Sequence, residues 1–95
     1  MNKHILLVMK WLDDKGSVSI DQLMENEKSA FSIYPSTRAA SYAAYYNADA
    51  DSAAAFASYN ASVDDEDHTL KCIDKYFEKS GEDKQDYINE IEASK

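Results

Sequence analysis

The sequence predicts an all-α protein, a small bundle of four to five helices forming a single acidic domain over residues 1–95. Three observations carry this. Apolar residues recur at helical spacing along the chain, and nowhere do β-branched residues alternate with the period of two that a strand requires. Only two glycines and one proline punctuate the 95 residues, too few for a loop-rich or all-β fold. The middle, from Ala39 to Leu70, contains no lysine or arginine and is filled with alanine, tyrosine and acid. Alanine is the strongest helix former and a poor filler of volume, so this stretch favours a helix that neighbours can approach closely. A chain of this size buries roughly 60–65% of its unfolded surface, which makes for a small core.

The first helix is predicted over residues 3–13, where Ile5, Val8, Met9 and Leu12 fall at i, i+3, i+4 and i+7. Lys15-Gly16 ends it, with Gly16 suited to the left-handed conformation just past a helix. Ser19 and Gln22 form a capping box for a second helix, which carries Ile20, Leu23, Met24 and Phe31. That helix is expected to end at Tyr34, because Pro35 disfavours the α conformation in the residue before it. Ser36 or Thr37 can cap a third helix. Alanine propensity carries it to about Ser62, whereas the capping residues within Asn47-Ala48-Asp49-Ala50-Asp51-Ser52 allow a kink or break.

Within this third segment Tyr42, Asp49 and Phe56 stand seven apart, as do Tyr45, Ser52 and Tyr59. They form one stripe, while Ala43, Ala50, Ala54, Ala57 and Ala61 lie on other faces. The stripe reads either as a bundle seam or as a binding surface. Asp64 or Asp65 can cap a fourth helix whose apolar face is Leu70, Ile73 and Phe77. Lys71, Lys75 and Lys79 follow toward its C-terminal end. Acid at the start and base at the end each oppose the helix dipole, worth roughly 0.3–1 kcal/mol apiece. Ser80-Gly81 closes that helix, and Asp83 opens a short last one with Tyr87, Ile88 and Ile91 facing in and Lys95 at a fraying end.

Eighteen acids against ten bases give a formal net charge of −8. Such a balance disfavours direct contact with nucleic acid or anionic membrane, and favours solubility, a basic protein partner or imitation of a polyanion. The single cysteine, Cys72, excludes an internal disulfide and fits a reducing compartment. The apolar stretch from Ile5 to Met9 is too short for a signal-peptide core, and no run reaches the ~18 apolar residues of a membrane span. The expected location is cytoplasmic. The glycosylation sequon at Asn60-Ala61-Ser62 carries no weight without secretion.

Chemistry-bearing patterns are sparse. His68 and Cys72 share a helix face at i, i+4, but zinc wants three or four protein ligands and no spacing supplies the rest. The same pair lacks the orienting group and oxyanion hole of a Cys–His nucleophile. Asn47-Ala48-Asp49-Ala50-Asp51 resembles the opening of an EF-hand loop, yet Ser52 replaces the turn glycine and Ser58 the bidentate glutamate, so calcium is excluded. Neither glycine belongs to a phosphate loop. The opening from Ile5 to Leu23 has the cadence of a helix-turn-helix, but a base-free segment follows where a basic recognition helix should stand. No cofactor, no metal and no enzymatic activity are expected.

Val8-Met9-Lys10-Trp11-Leu12, the Ala/Tyr/Asp-rich middle, and Lys75-Tyr76-Phe77 followed by Gly81-Glu82-Asp83-Lys84-Gln85-Asp86-Tyr87-Ile88 together carry a resemblance. The chain resembles a loose group of small tailed-bacteriophage accessory proteins with an Ala-Tyr-Ala-Asp tract, and the likeness spans most of its length. That group has no assigned enzymatic activity, so the resemblance implies no catalytic residue. It implies an accessory protein acting on a host protein or defence system in the host cell cytoplasm.

Three functions compete on these grounds. The first is an inhibitor that binds a basic host surface, as a DNA mimic or otherwise. Its partner-binding residues would be Tyr42, Tyr45, Asp49, Asp51, Phe56, Tyr59, Asp64 and Asp65, with carboxylates steering association and rings anchoring it. The second is a self-associating structural protein whose Ala/Tyr face is a homodimer seam. The third and weakest is a small enzyme or metal protein built on His68 and Cys72.

Overall fold

Every α-helix among the described residues begins on a side chain that accepts a backbone N–H, and these caps set the element boundaries. A computed structural model describes residues 1–32 and 49–95. Within them lie five helices and no strand: α1 (Lys3–Asp13), α2 (Ile20–Phe31), α3 (Ala50–Ser62), α4 (Glu66–Ser80) and α5 (Lys84–Ala93). Their N-caps are Asn2, Ser19, Asp49, Asp65 and Asp83. The small all-α bundle expected from the sequence is the observed fold.

The capping box at α2 is complete. Ser19 Oγ accepts from the Gln22 N–H at 3.1 Å, and Gln22 Oε1 accepts from the Ser19 N–H at 2.9 Å. Of the Asn47–Ser52 segment, the described part holds a helix start: Asp49 has extended backbone and its Oδ1 accepts from the Ser52 N–H at 2.9 Å, while Asn47 and Ala48 lie outside the described residues. Of the two candidate caps for α4, Asp65 serves, while Asp64 takes the left-handed conformation at φ 58°. The expected end of α2 at Tyr34, the caps at Ser36 or Thr37, and the ring positions Tyr42 and Tyr45 lie outside the described residues.

Gly16 corrects one expectation. Positive φ occurs among the described residues only at Asp64 and Gly81. The stop after α1 is built instead by Asp14, whose carboxylate accepts from the Gly16 N–H at 3.1 Å and opens a single 3₁₀ turn over Lys15–Ser17. Gly81 is the left-handed residue, at φ 72°, with its N–H donating to the Phe77 carbonyl. A Cβ at Gly16 would meet only ordinary contact, 3.5 Å from Asp14 Oδ1. Gly16→Ala is therefore expected to be neutral or mildly stabilising, and Gly81→Ala to cost roughly 1–2 kcal/mol. Paired urea melts check this.

Packing follows from which side chains meet. Asn26 bonds to Ser58 and Phe31 stacks edge-on against Phe56 at 5.2 Å, so α2 and α3 run antiparallel. Asn60 Nδ2 donates to Cys72 Sγ at 3.3 Å across the short Val63–Asp65 turn, bringing α4 back along α3. Asn2 meets Tyr87 and Asp13 meets Lys95, so α5 lies parallel to α1. Helix α3 is central: it packs against α1, α2 and α4, and Ser52 to Ser58 are all buried. A helix apolar all round belongs inside a bundle, and the small side chains of Ala53, Ala54, Ala55, Ala57 and Ala61 let three neighbours close on it.

That tight centre explains where the predicted apolar faces were misplaced. On α4 the buried stripe is Thr69, Cys72, Ile73 and Tyr76, with Phe77 half-buried and Leu70 exposed. Close approach to the alanines of α3 selects the smaller Thr69 and Cys72, and Leu70 stands about 100° round the helix from Thr69. On α2 the inward residues are Leu23, Asn26, Ala30 and Phe31, leaving Ile20 and Met24 outside. On α5 Tyr87 and Ile91 face in and Ile88 does not. Trp11 joins Ile5, Val8 and Met9 in the core. Lys95 Nζ lies 2.8 Å from Asp13 and 3.1 Å from Glu92, exposed ion pairs that place the end of α5 beside the end of α1.

Candidate functional site

The acids proposed for partner binding divide between the two ends of α3. Asp49 and Asp51 sit at its start, and Asp64 and Asp65 just past its end. Thirteen helical residues at 1.5 Å each separate the pairs by about 20 Å. Two of the four have local employment. Asp49 caps α3, and Asp65 caps α4 while its Oδ2 lies 2.7 Å from His68 Nδ1. The Asp65 carboxyl is held below its ordinary value, first by the His68 backbone N–H it accepts. Asp51 and Asp64 remain exposed.

Among the aromatic positions of the proposed site, burial corrects Phe56. Phe56 is 2% exposed and packs on Phe31, so its ring anchors the core and is not offered to a partner. Tyr59 is half-buried against the same core. The reason is the central position of α3, which turns Phe56 inward. Tyr42 and Tyr45 lie outside the described residues. The eight positions are thus not gathered into one surface by the described part of the fold.

A different surface emerges on α2, and sequence reasoning missed it. Ile20 and Met24 are 56% and 55% exposed, one turn apart on the same face. Asp21 and Glu25, also one turn apart, flank them and are exposed. Neither acid has an ion-pair partner among the described residues. The sequence carried no signal for it: Ile20, Leu23, Met24 and Phe31 span about 100° of the helix, an ordinary apolar stripe, and only the tertiary burial of Asn26 and Ala30 leaves Ile20 and Met24 outside.

Two polar clusters join the helices. At the first, Ser58 Oγ donates to the Ala54 carbonyl at 2.9 Å and therefore accepts from Asn26 Nδ2 at 3.0 Å. This orients Asn26 Oδ1 toward His4 Nδ1, 2.9 Å away, which holds the proton on Nδ1 when the imidazole is neutral. His4 borders a shallow cleft of about 420 Å³ with Lys3, Leu7, Gln22 and Glu25. On its other side a cleft of about 240 Å³ is lined by Asp51 and Ala54. Ser58 is fully buried, so the His4–Asn26–Ser58 chain activates no accessible nucleophile; it fixes α1, α2 and α3 to one another.

At the second cluster the Tyr76 and Tyr87 hydroxyls both donate to Glu82 Oε1, the latter at 2.5 Å. The Asn2 N–H donates to the Tyr87 oxygen at 2.6 Å, and the Met1 ammonium stands 3.6 Å from Glu82 Oε2. The hydrogen bonds from Tyr76 and then Tyr87 lower the Glu82 pKa. Burial, and next the Glu82 carboxylate, raise both tyrosines. A depressed carboxylate contributes stability above its unfolded value, near pH 4.5, and loses it as pH falls through the folded value. The raised tyrosines contribute fully below their ordinary pH 10 and lose that contribution as pH rises beyond it. Glu82→Gln is expected to flatten the acid limb of a Tm-against-pH curve while leaving the neutral plateau folded.

His68 and Cys72 do not form a pair. His68 is exposed and bonded to Asp65, whereas Cys72 is fully buried and accepts from Asn60. Among the described residues no three His, Cys, Asp or Glu side chains converge as a metal site, and no helix is long and apolar enough to cross a membrane. Comparison with known proteins finds no matching family model, no curated relative and no similar solved structure.

Proposed function

We propose that this chain is a phage-encoded acidic protein that binds and inhibits a host protein through a basic surface on that protein, in the host cell cytoplasm. The observation that carries the reading is the distribution of charge. Asp21, Glu25, Asp51, Asp64, Asp67 and Asp74 are exposed and have no ion-pair partner among the described residues, within a chain of net charge −8. Unneutralised carboxylates of this kind raise the encounter rate with a basic partner and discriminate against acidic ones. The resemblance to phage accessory proteins, carried by the Trp11 region, the Ala/Tyr/Asp middle and the Gly81–Ile88 segment, supplies the host context. For the self-associating alternative, the alanines of α3 are covered by helices of the same chain, so a seam would have to use the rest of the Ala/Tyr tract, which lies outside the described residues.

The test uses Asp51 and Asp64, because reversal at Asp49 or Asp65 would also remove a helix cap. A host protein captured from lysate by the full chain should release as salt rises over the range that screens surface charge. Asp51→Lys with Asp64→Lys should slow association and flatten that salt dependence. If the captured protein handles nucleic acid, duplex DNA should compete for it. Binding indifferent to both salt and charge reversal overturns the electrostatic reading.

A further inference from the structure

We propose that the outer ridge of α2 is the docking surface, and that its occupant is a basic amphipathic helix of the partner protein; this rests on the reading above and names the contact it would use. Ile20 and Met24 place two large apolar side chains in one row, each more than half exposed. Asp21 and Glu25 form a parallel acidic row about 100° further round the helix. Val63, 54% exposed, lies at the same end of the antiparallel α2–α3 pair as Ile20, and Asp64 follows it. The one cation of α2, Lys28, sits in its last turn.

An apolar row bordered by acid is complementary to a helix with an apolar row bordered by lysine or arginine, the helix-on-groove mode of recognition. The buried apolar contacts set the lifetime of such a complex, and the carboxylates set its encounter rate and register. The charge pattern also selects against a second copy of this chain. Stacking two α2 ridges face to face would bring Asp21 and Glu25 of each copy into one interface, where like charges repel.

The probe is a short synthetic helical peptide of leucine and lysine only, with leucine on one face, titrated into the isotopically labelled full chain. A scrambled peptide of the same composition is the control. The expected result is saturable binding with amide shifts centred on Ile20, Asp21, Met24, Glu25 and Val63, weaker for the scrambled peptide. Ile20→Ser with Met24→Ser should weaken it about tenfold or more, chiefly through faster dissociation. Asp21→Lys with Glu25→Lys should weaken it at low salt and little at high salt. All four positions are exposed, so far-ultraviolet spectra of the variants should match the parent.

A footprint around Asp51 or Asp67, untouched by the α2 variants, overturns the α2 surface and leaves the basic-partner reading standing. No binding of either peptide at low salt overturns both. A parent protein that is dimeric by light scattering, and monomeric as Met24→Ser, makes the ridge a self-association face and overturns the proposal.

Discussion

Phe56→Ala is expected to lower the stability of this protein by about 3–5 kcal/mol, the range for a buried aromatic truncated in a core that cannot collapse around the gap. The ring is 2% exposed on the central helix and meets Phe31 edge-on at 5.2 Å. It supplies bulk where its neighbours Ala53, Ala54, Ala55 and Ala57 supply almost none, so nothing nearby can expand into the space. A domain with a total stability of roughly 5–15 kcal/mol loses a large fraction of it in this one change. Phe77→Ala is the instructive comparison. Phe77 is only half-buried, against Tyr76 and Tyr87, and its truncation should cost clearly less. Urea unfolding followed by circular dichroism measures both. Equal costs for the two would mean that α3 does not sit at the centre of the bundle.

The second large effect runs the other way, through excess volume. Ala57 is fully buried on α3, in the stretch where α1, α2 and α4 close in. Ala57→Leu adds three carbons where packing leaves no room, and should destabilise by about 1–3 kcal/mol or more through displaced backbones and off-rotamer side chains. Ala93→Leu, at the exposed end of α5, makes the same chemical change and should lie within about 0.5 kcal/mol of the parent. A stabilised Ala57→Leu protein would reveal an unfilled space beside α3.

The contrast between alanine and phenylalanine on one helix shows what the sequence could and could not disclose. Caps are local chemistry, and they were legible: Ser19 with Gln22, Asp65, Asp83 and the Gly81 stop all stand where their residue types demand. Core membership depends on which helix lies against which, and that is not local. Leu70 loses its place to Thr69 because the surface opposite is made of alanine. Ile20 and Met24 are left outside because Asn26 is drawn in by Ser58 and His4, partners more than 20 residues away in sequence. The candidate site suffered most for the same reason. Read along the chain, Asp49, Phe56 and Asp65 belong to one acidic, aromatic tract; in the fold they are a cap, a core ring and another cap. Gly16 failed for a smaller reason, since Asp14 offers the backbone a side-chain acceptor that removes any need for a left-handed residue.

The bond from the Asn2 backbone to Tyr87 joins positions 85 apart in sequence. The α3–α4 turn and the α1–α2 turn, by contrast, close loops of only a few residues. Loop closure grows costlier with length, so the α1–α5 pairing has the least entropic encouragement to form early. Folding is expected to begin with the α1–α2 and α3–α4 hairpins and to finish when α5 swings in and Tyr87 meets the Asn2 backbone. The reverse holds for opening: among the described helices α5 should be the first to exchange its amide hydrogens, well before α3 gives up any of its own.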